Sequence, residues 1–292
     1  MLVSAFADKA TVWFSEEWPR REDARFFYMR IAAEVSSKNG GFALPETLNL
    51  DPWPPKLFHD NWLAIEVSFT LQTPWYSKDD RPFHVLDNPV RKDRVFGVPF
   101  MSAASWKGLL RWSFGMTTSL IGPAPDEDEK KRQQAEAEIR HLFGNEKGAS
   151  DDFQRGALAF YPTWFPRVSF EVINPHSRKT RAGTQPIYYE VVPPRTQGTL
   201  RLLYAPLPGQ ATRDPGQATR DYVDPEHAVG KLLDAIKKLL TVYGFSAKRT
   251  AGWGLATVDE WVVRNGKTSH SGTLDVVKSR LGELLGRREA TP

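Results

Sequence analysis

The sequence contains no cysteine, which excludes disulfide bonds, thiolate zinc sites and cysteine nucleophiles. It also lacks any uninterrupted apolar run that approaches the roughly 18 residues of a membrane-spanning helix. Near its start, Asp8 and Lys9 interrupt the apolar residues before a core of signal-peptide length develops. From these absences we expect a soluble, cytoplasmic protein with no membrane partner.

Histidine is scarce, and its placement gives little indication of catalysis. The six histidines show no metal-ligand spacing, and none falls in a recognisable catalytic triad. No Gly-Lys-Ser/Thr stands at Walker spacing, so nucleotide hydrolysis is not expected. His84, three residues before Asp87, and His176, within a basic stretch, are the two that could act as a general acid or base. For each of them, a role as a hydrogen-bonding loop residue is the favoured interpretation.

Charge is segregated along the chain and small overall. The 39 Lys and Arg residues against 35 Asp and Glu residues leave a formal charge of +4, which permits a polyanionic partner without requiring one. Between Arg155 and Tyr204 there are seven basic residues and two acidic ones, whereas residues 126–129 are all acidic. A basic region in the second half of the chain is therefore the better candidate for binding an anion.

The apolar patterns predict a mixed fold. Residues 63–71 alternate apolar and polar side chains, which is typical of a half-buried strand. Helices are predicted over 105–114, 126–143 and from Asp224 to Tyr243, and a last amphipathic helix over 274–285. Further strands are predicted at 157–160, 168–173, 187–192, 200–204 and 255–263. This order favours an α+β, ferredoxin-like (RRM-like) domain with insertions.

The same patterns suggest the domain layout. Residues 1–60 spread aromatic side chains among charges and turns, and we interpret them as an N-terminal extension or arm. Residues 61–292 form the ferredoxin-like domain. Within it, the hexapeptide Gly-Gln-Ala-Thr-Arg-Asp occurs twice around Pro215 with no apolar content, which predicts a flexible loop over 208–222.

Two segments carry the clearest indications of function. In the first, Leu86-Asp87-Asn88-Pro89-Val90-Arg91-Lys92-Asp93 is followed by Gly97-Val98-Pro99-Phe100 and by Ser105-Trp106-Lys107-Gly108-Leu109-Leu110-Arg111. Lys107 and Arg111 lie one helical turn apart near a helix N-terminus, an arrangement that suits backbone phosphates. An ordinary amphipathic helix with solvated cations is the alternative.

The second segment is a glycine-rich loop between a predicted helix and a predicted strand. It reads Gly244-Phe245-Ser246-Ala247-Lys248-Arg249-Thr250-Ala251-Gly252-Trp253-Gly254. Glycines allow backbone amides to approach phosphate, and Lys248 and Arg249 add charge. A basic hairpin with Arg178, Lys179 and Arg181 could also follow an RNA backbone, or could be an ordinary solvated hairpin.

Together these segments resemble the RAMP (repeat-associated mysterious protein) superfamily, in particular the backbone-type (Csm/Cmr-like) subunits of type III CRISPR effector complexes. The resemblance implies an RNA-binding subunit for antiviral defence whose partners are CRISPR RNA, target RNA and other subunits of the complex. In that family the aspartate at the position of Asp87 cuts target RNA with the help of a divalent metal such as Mg²⁺. By this resemblance Asp87 is both the candidate catalytic residue and the candidate metal ligand.

Two alternatives stay open at the level of sequence. A stand-alone RAMP endoribonuclease that processes precursor CRISPR RNA would need a general acid or base such as His84 or His176. A non-catalytic capping or assembly subunit would keep the RNA contacts without cutting, as some subunits of the resembled family do. The sequence also departs from the family in having Ser102-Ala103-Ala104-Ser105 where a glycine-serine turn is usual.

Overall fold

The structure is a computed structural model. It describes residues 20–37, 41–44, 53–80, 84–121, 129–145, 154–175, 183, 185–207 and 223–286. Within these residues the helices are α1 (Arg21–Ser37), α2 (Ala103–Thr117), α3 (Glu129–Phe143), α4 (Pro225–Lys238), α5 (Leu274–Lys278) and α6 (Leu281–Leu284). The strands are β1 (Leu63–Leu71), β2 (Phe100–Met101), β3 (Leu158–Phe160), β4 (Thr163–Trp164), β5 (Ser169–Ile173), β6 (Ile187–Val191), β7 (Gln197–Tyr204), β8 (Ala256–Arg264) and β9 (Ser269–Gly272).

The core of the domain is a five-stranded sheet in the order β3-β7-β1-β8-β9, with every neighbouring pair antiparallel. Its central strand β1 has the predicted bounds, and its odd-numbered residues are buried as the alternation requires. Chain order β1-α2-β3-β7-α4-β8 combined with sheet order β3-β7-β1-β8 is the ferredoxin-like arrangement. The predicted α+β fold class is therefore confirmed.

Helices α2 and α4 pack together on one face of this sheet. The Ser113 hydroxyl of α2 donates to the Ala235 carbonyl of α4 at 2.8 Å. Below them, the ring of Phe69 on β1 lies 6.3 Å from Trp106 of α2 and 5.2 Å from Phe245, measured between centroids. These buried aromatic contacts fix the ends of both helices over the carboxyl end of β1.

The start of α4 follows from its sequence. Asp224 accepts a hydrogen bond from the Glu226 amide at 3.0 Å, and Pro225 occupies the first turn. The helix continues through a π-helical turn over Leu239–Tyr243 and ends at Gly244, whose φ is +74°. The helix end thus lies where the sequence predicts it, directly before the glycine-rich loop.

Helix α1 was not predicted. It buries Ala24, Tyr28 and Ala32, which recur every four residues along one face. Near its end, the Ser36 hydroxyl donates to the Val168 carbonyl at 2.9 Å and accepts from the Val168 amide at 3.0 Å. Residues 20–37 therefore pack against the domain next to β5.

Other predictions differ in detail or fall outside the described residues. The last predicted helix is divided into α5 and α6, and the edge strand β9 was missed. Residues 208–222, predicted to be a flexible loop, lie outside the described residues. Within the part of the chain that the structure describes, no helix has the length and hydropathy needed to span a membrane.

Candidate nucleic-acid interface

The glycine-rich loop is hydrogen-bonded to the segment that follows β1. Gly244 and Gly254 have φ angles of +74° and +83°, which glycine adopts without steric penalty. A Cβ atom added at Gly254 would lie 2.5 Å from the backbone nitrogen of Ser246. The buried Ser246 hydroxyl accepts hydrogen bonds from the Tyr76 and Lys248 amides and donates one to the Tyr76 carbonyl. The loop is therefore held in one shape.

This loop presents two cations on aromatic rings. Lys248 Nζ lies 4.9 Å from the ring centroid of Tyr189, and the guanidinium carbon of Arg249 lies 4.2 Å from that of Trp112. Among the described residues, neither cation is paired with a carboxylate. A cation–π contact positions a charge without neutralising it. Both side chains can therefore still neutralise an anionic ligand.

A cleft of about 420 Å³ lies between the glycine-rich loop and the start of α2. Ser105 and Leu109 line it from α2, Ser77 lines it from the segment after β1, and Ala247 and Arg249 line it from the loop. The fold thus brings together the two sequence segments that were singled out for phosphate binding.

Helix α2 carries the other two predicted phosphate contacts, Lys107 and Arg111. Ser102 caps the helix by accepting a hydrogen bond from the Ser105 amide at 3.2 Å. Lys107 is exposed and has no hydrogen-bond or ion-pair partner among the described residues. Arg111 is partly buried, and its Nη1 donates to the Gly144 carbonyl at 2.8 Å, at the end of α3. Lys107 is thus the more accessible of the two.

Strand β6 contacts both the glycine-rich loop and the segment that follows β1. Its Tyr189 ring lies under Lys248 and packs edge-on against Tyr76, with the centroids 5.2 Å apart. Burial raises the pKa of the Tyr76 phenol above its usual range, which itself lies well above neutral pH. Strand β6 also contacts the turn that contains Asp87, because the Asn88 side-chain amide donates to the Tyr188 carbonyl at 3.2 Å.

A buried ion pair holds residues 84–93, which we call the Asp87 loop. Glu190 of β6 is fully buried and accepts hydrogen bonds from the Lys92 ammonium and from the Tyr28 hydroxyl of α1, the latter at 2.8 Å. Its other oxygen accepts from the Val90 amide at 3.1 Å. This network joins α1, β6 and the Asp87 loop at one point.

The Asp87 carboxylate lies at the surface between two arginines of α1. Arg21 Nη2 is 2.6 Å from Oδ1, and Arg25 Nη2 is 3.0 Å from Oδ2. The guanidinium of Arg25 also lies over the Tyr188 ring, 5.3 Å from its centroid. Sequence reasoning missed both arginines, which are 66 and 62 residues away from Asp87 along the chain. Their spacing of four residues is compatible with one face of a helix, but nothing in the sequence links them to Asp87.

The donor set around Asp87 does not fit a divalent metal held by the protein. Within the described ranges, no group of three or more His, Asp or Glu side chains could hold a metal ion. The ion-pair partners of Asp87 are cations, which oppose the binding of another cation. We therefore derive no step through a metal. The roles of Asp87 as catalytic residue and Mg²⁺ ligand stay predictions.

The remaining predicted residues lie in the β5–β6 connection and before the Asp87 turn. Three basic residues and one histidine of that connection fall outside the described residues: Arg178, Lys179, Arg181 and His176. His84 is described, and its Nδ1 accepts a hydrogen bond from the Leu86 amide at 3.0 Å. One ring nitrogen of His84 thus has a structural partner, and its role as an acid or base stays a prediction.

Comparisons with known proteins bear on the family and the fold of this chain. The family model of the RAMP superfamily matches residues 68–257. A chain of the cryo-EM structure of the Type III-B Cmr-beta bound to cognate target RNA is 17% identical, with a TM-score of 0.55, and the match covers 84% of this chain and 76% of that chain. A chain of the crystal structure of the Csm3-Csm4 subcomplex in the type III-A CRISPR-Cas interference complex is 14% identical, with a TM-score of 0.43. That match covers 76% of this chain and 95% of that chain.

No curated protein sequence matches this chain. The match to the family model begins within β1, ends within β8 and includes the Asp87 loop, α2 and the glycine-rich loop. It spans more than half of the chain, and the fold is the ferredoxin-like arrangement shared with the Cmr-beta chain. This protein belongs to the RAMP superfamily.

Proposed function

We propose that this protein is an RNA-binding subunit of a type III CRISPR interference complex. In this role it holds CRISPR RNA in the cytoplasm and packs on other subunits of the complex. The observation that carries the proposal is the pair Lys248 and Arg249, which stack on aromatic rings beside the cleft and have no carboxylate partner among the described residues. Membership of the RAMP superfamily supports it.

The geometry suits recognition of an RNA backbone. Arg249 lines the cleft from the glycine-rich loop and Lys248 directly precedes it, whereas the exposed Lys107 lies on a different face of α2 from the residues that line the cleft. Phosphates bound by such cations fix the position of an RNA without reading its sequence. Sequence recognition then belongs to base pairing between the guide RNA and its target.

The position of Asp87 supports a second part of the proposal, the cutting of target RNA paired to the guide. A carboxylate can accept the proton of a 2′-hydroxyl as its oxygen attacks the adjacent phosphorus, while the 5′-oxygen leaves and takes a proton from solvent. Asp87 is 46% exposed, which leaves it accessible to RNA. Its loop is fixed by the buried Lys92–Glu190 pair, so the carboxylate has a defined position.

Salt-dependent RNA binding tests the proposal directly. We expect Lys248→Gln and Arg249→Gln each to lower the slope of log affinity against log salt by about 0.7, the value for one phosphate contact on a single strand. Fluorescence anisotropy with a labelled CRISPR RNA measures this slope.

Lys131→Gln is the matched control, because Lys131 is an exposed lysine on α3. It should leave the slope unchanged. Equal affinities and slopes for the wild type and for the Lys248→Gln/Arg249→Gln double variant would refute the proposed interface.

A further inference from the structure

Arg21 and Arg25 form a cationic pair that lies outside the region matched by the family model. They are one helical turn apart on α1, and both contact the Asp87 carboxylate. Arg25 is packed against Tyr188, and its Nε is buried without a hydrogen-bond partner. The position of Arg25 is therefore fixed by packing, while Arg21 is 51% exposed.

The charges at this point do not balance. Two guanidinium groups meet one carboxylate, so the cluster of Arg21, Arg25 and Asp87 carries one net positive charge. The first turn of α1 also holds two acidic side chains: Asp23 is paired with Arg20 at 3.1 Å, and Glu22 makes no ion pair with Arg21 or Arg25 among the described residues. A guanidinium binds phosphate oxygens with the same planar geometry as carboxylate oxygens. Because Asp87 is half-exposed, a phosphate in solution can compete with it for the arginines.

This cluster and the proposed RNA interface both lie against strand β6. Arg25 lies over Tyr188, and the next residue on β6, Tyr189, lies under Lys248 of the glycine-rich loop. Successive side chains of a strand point to opposite faces, so Arg25 and Lys248 each lie against an aromatic ring on a different face of β6. This combination is typical of surfaces that bind RNA through its phosphates and bases.

We propose that Arg21 and Arg25 bind a backbone phosphate of the RNA next to Asp87, and that Asp87 occupies them in the free protein. RNA binding transfers the arginines from Asp87 to the phosphate and releases the carboxylate. The inference rests on the proposed function, because it assigns to the same RNA a further contact outside the matched region. It implies that Asp87 and RNA compete for the same two side chains.

If Asp87 and RNA compete for the two arginines, replacing Asp87 and replacing the arginines should change the RNA affinity in opposite directions. Asp87→Asn should raise the affinity for a guide–target RNA duplex about fivefold at low salt, because an exposed competing ion pair is removed. Arg21→Gln/Arg25→Gln should lower the affinity and reduce the slope of log affinity against log salt by up to about one, because one phosphate contact is lost. In the Arg21→Gln/Arg25→Gln background, Asp87→Asn should have no effect.

The experiment is fluorescence anisotropy of these variants with a labelled guide–target RNA duplex over a range of salt concentrations. Arg20→Gln is the matched control, since Arg20 is the arginine directly before α1 and pairs with Asp23. Thermal unfolding of each variant establishes that it is folded. Asp87→Asn provides a test that does not depend on the arginine variants.

The outcomes separate this inference from the proposed function. Binding that requires Lys248 and Arg249 but is unchanged in Arg21→Gln/Arg25→Gln would overturn the inference alone. An unchanged or lower affinity in Asp87→Asn would also overturn it, because a purely structural ion pair gives that result. A wild-type protein that binds no RNA would overturn the inference and the proposed function together.

Discussion

Replacing Glu190 with glutamine should destabilise this protein far more than the same change at a surface ion pair. Glu190 is fully buried and accepts hydrogen bonds from the Lys92 ammonium, the Tyr28 hydroxyl and the Val90 amide. Lys92 itself is only 8% exposed. The change to glutamine keeps the shape of the side chain but leaves the lysine charge buried without a counter-charge.

The expected loss of unfolding free energy is about 3 kcal/mol, since removing one partner of a buried ion pair costs about 3–5 kcal/mol. The lower end applies because the glutamine oxygen can still accept the Tyr28 hydrogen bond. Glu66→Gln is the control. Glu66 pairs with Arg201 at 2.7 Å near the surface, and such a pair contributes no more than about 1 kcal/mol.

Urea unfolding followed by tryptophan fluorescence gives both values, because the chain has ten tryptophans. Replacing both partners in Lys92→Met/Glu190→Leu should destabilise less than Glu190→Gln, because no buried charge is left unpaired. A loss below about 1 kcal/mol for Glu190→Gln, similar to that of Glu66→Gln, would refute the reasoning. So would a double variant that is less stable than the single one.

Two further predictions concern pH dependence and RNA cutting. Burial lowers the pKa of His141 from 6.5 to about 4. The contribution of its neutral imidazole to the free energy of unfolding is therefore complete above pH 6.5 and is lost as the pH falls toward 4. Urea unfolding at pH 7.5 and 4.5 should show the wild type losing about 2–3 kcal/mol more than His141→Gln; parallel losses would contradict this. Asp87→Ala should abolish cutting of target RNA, measured on gels with the guide RNA bound, while His84→Ala should retain it; the reverse result would favour the stand-alone endoribonuclease.

The central elements of the fold could be predicted because their local patterns agree with their environment. Strand β1 alternates along its whole length, and α4 has both an N-cap at Asp224 and a stop at Gly244. Helix α1 was missed because its buried face is formed mainly by small side chains, while Phe26 is 56% exposed. Strand β9 contains only Ser, His and Gly, and it is held by pairing with β8, which local sequence does not encode.

The candidate site could be predicted only in part, for a similar reason. Lys248, Arg249 and Lys107 belong to short motifs, and a motif can be recognised wherever the fold places it. Arg21 and Arg25 have no motif, and they meet Asp87 only because α1 packs against the domain. The Lys92–Glu190 pair joins residues 98 apart in the chain. Such contacts depend on tertiary structure, so periodicity and spacing do not reveal them.

The central claim is that this chain holds CRISPR RNA within a type III complex. Its most direct test is to purify the tagged wild-type protein and the Lys248→Gln/Arg249→Gln variant from the native host, sequence the RNA that accompanies each and identify the accompanying proteins. The account predicts short RNAs with a common repeat-derived end and other CRISPR subunits with the wild type, and less of this RNA with the variant. The absence of RNA, or a random cellular mixture without those subunits, would contradict it.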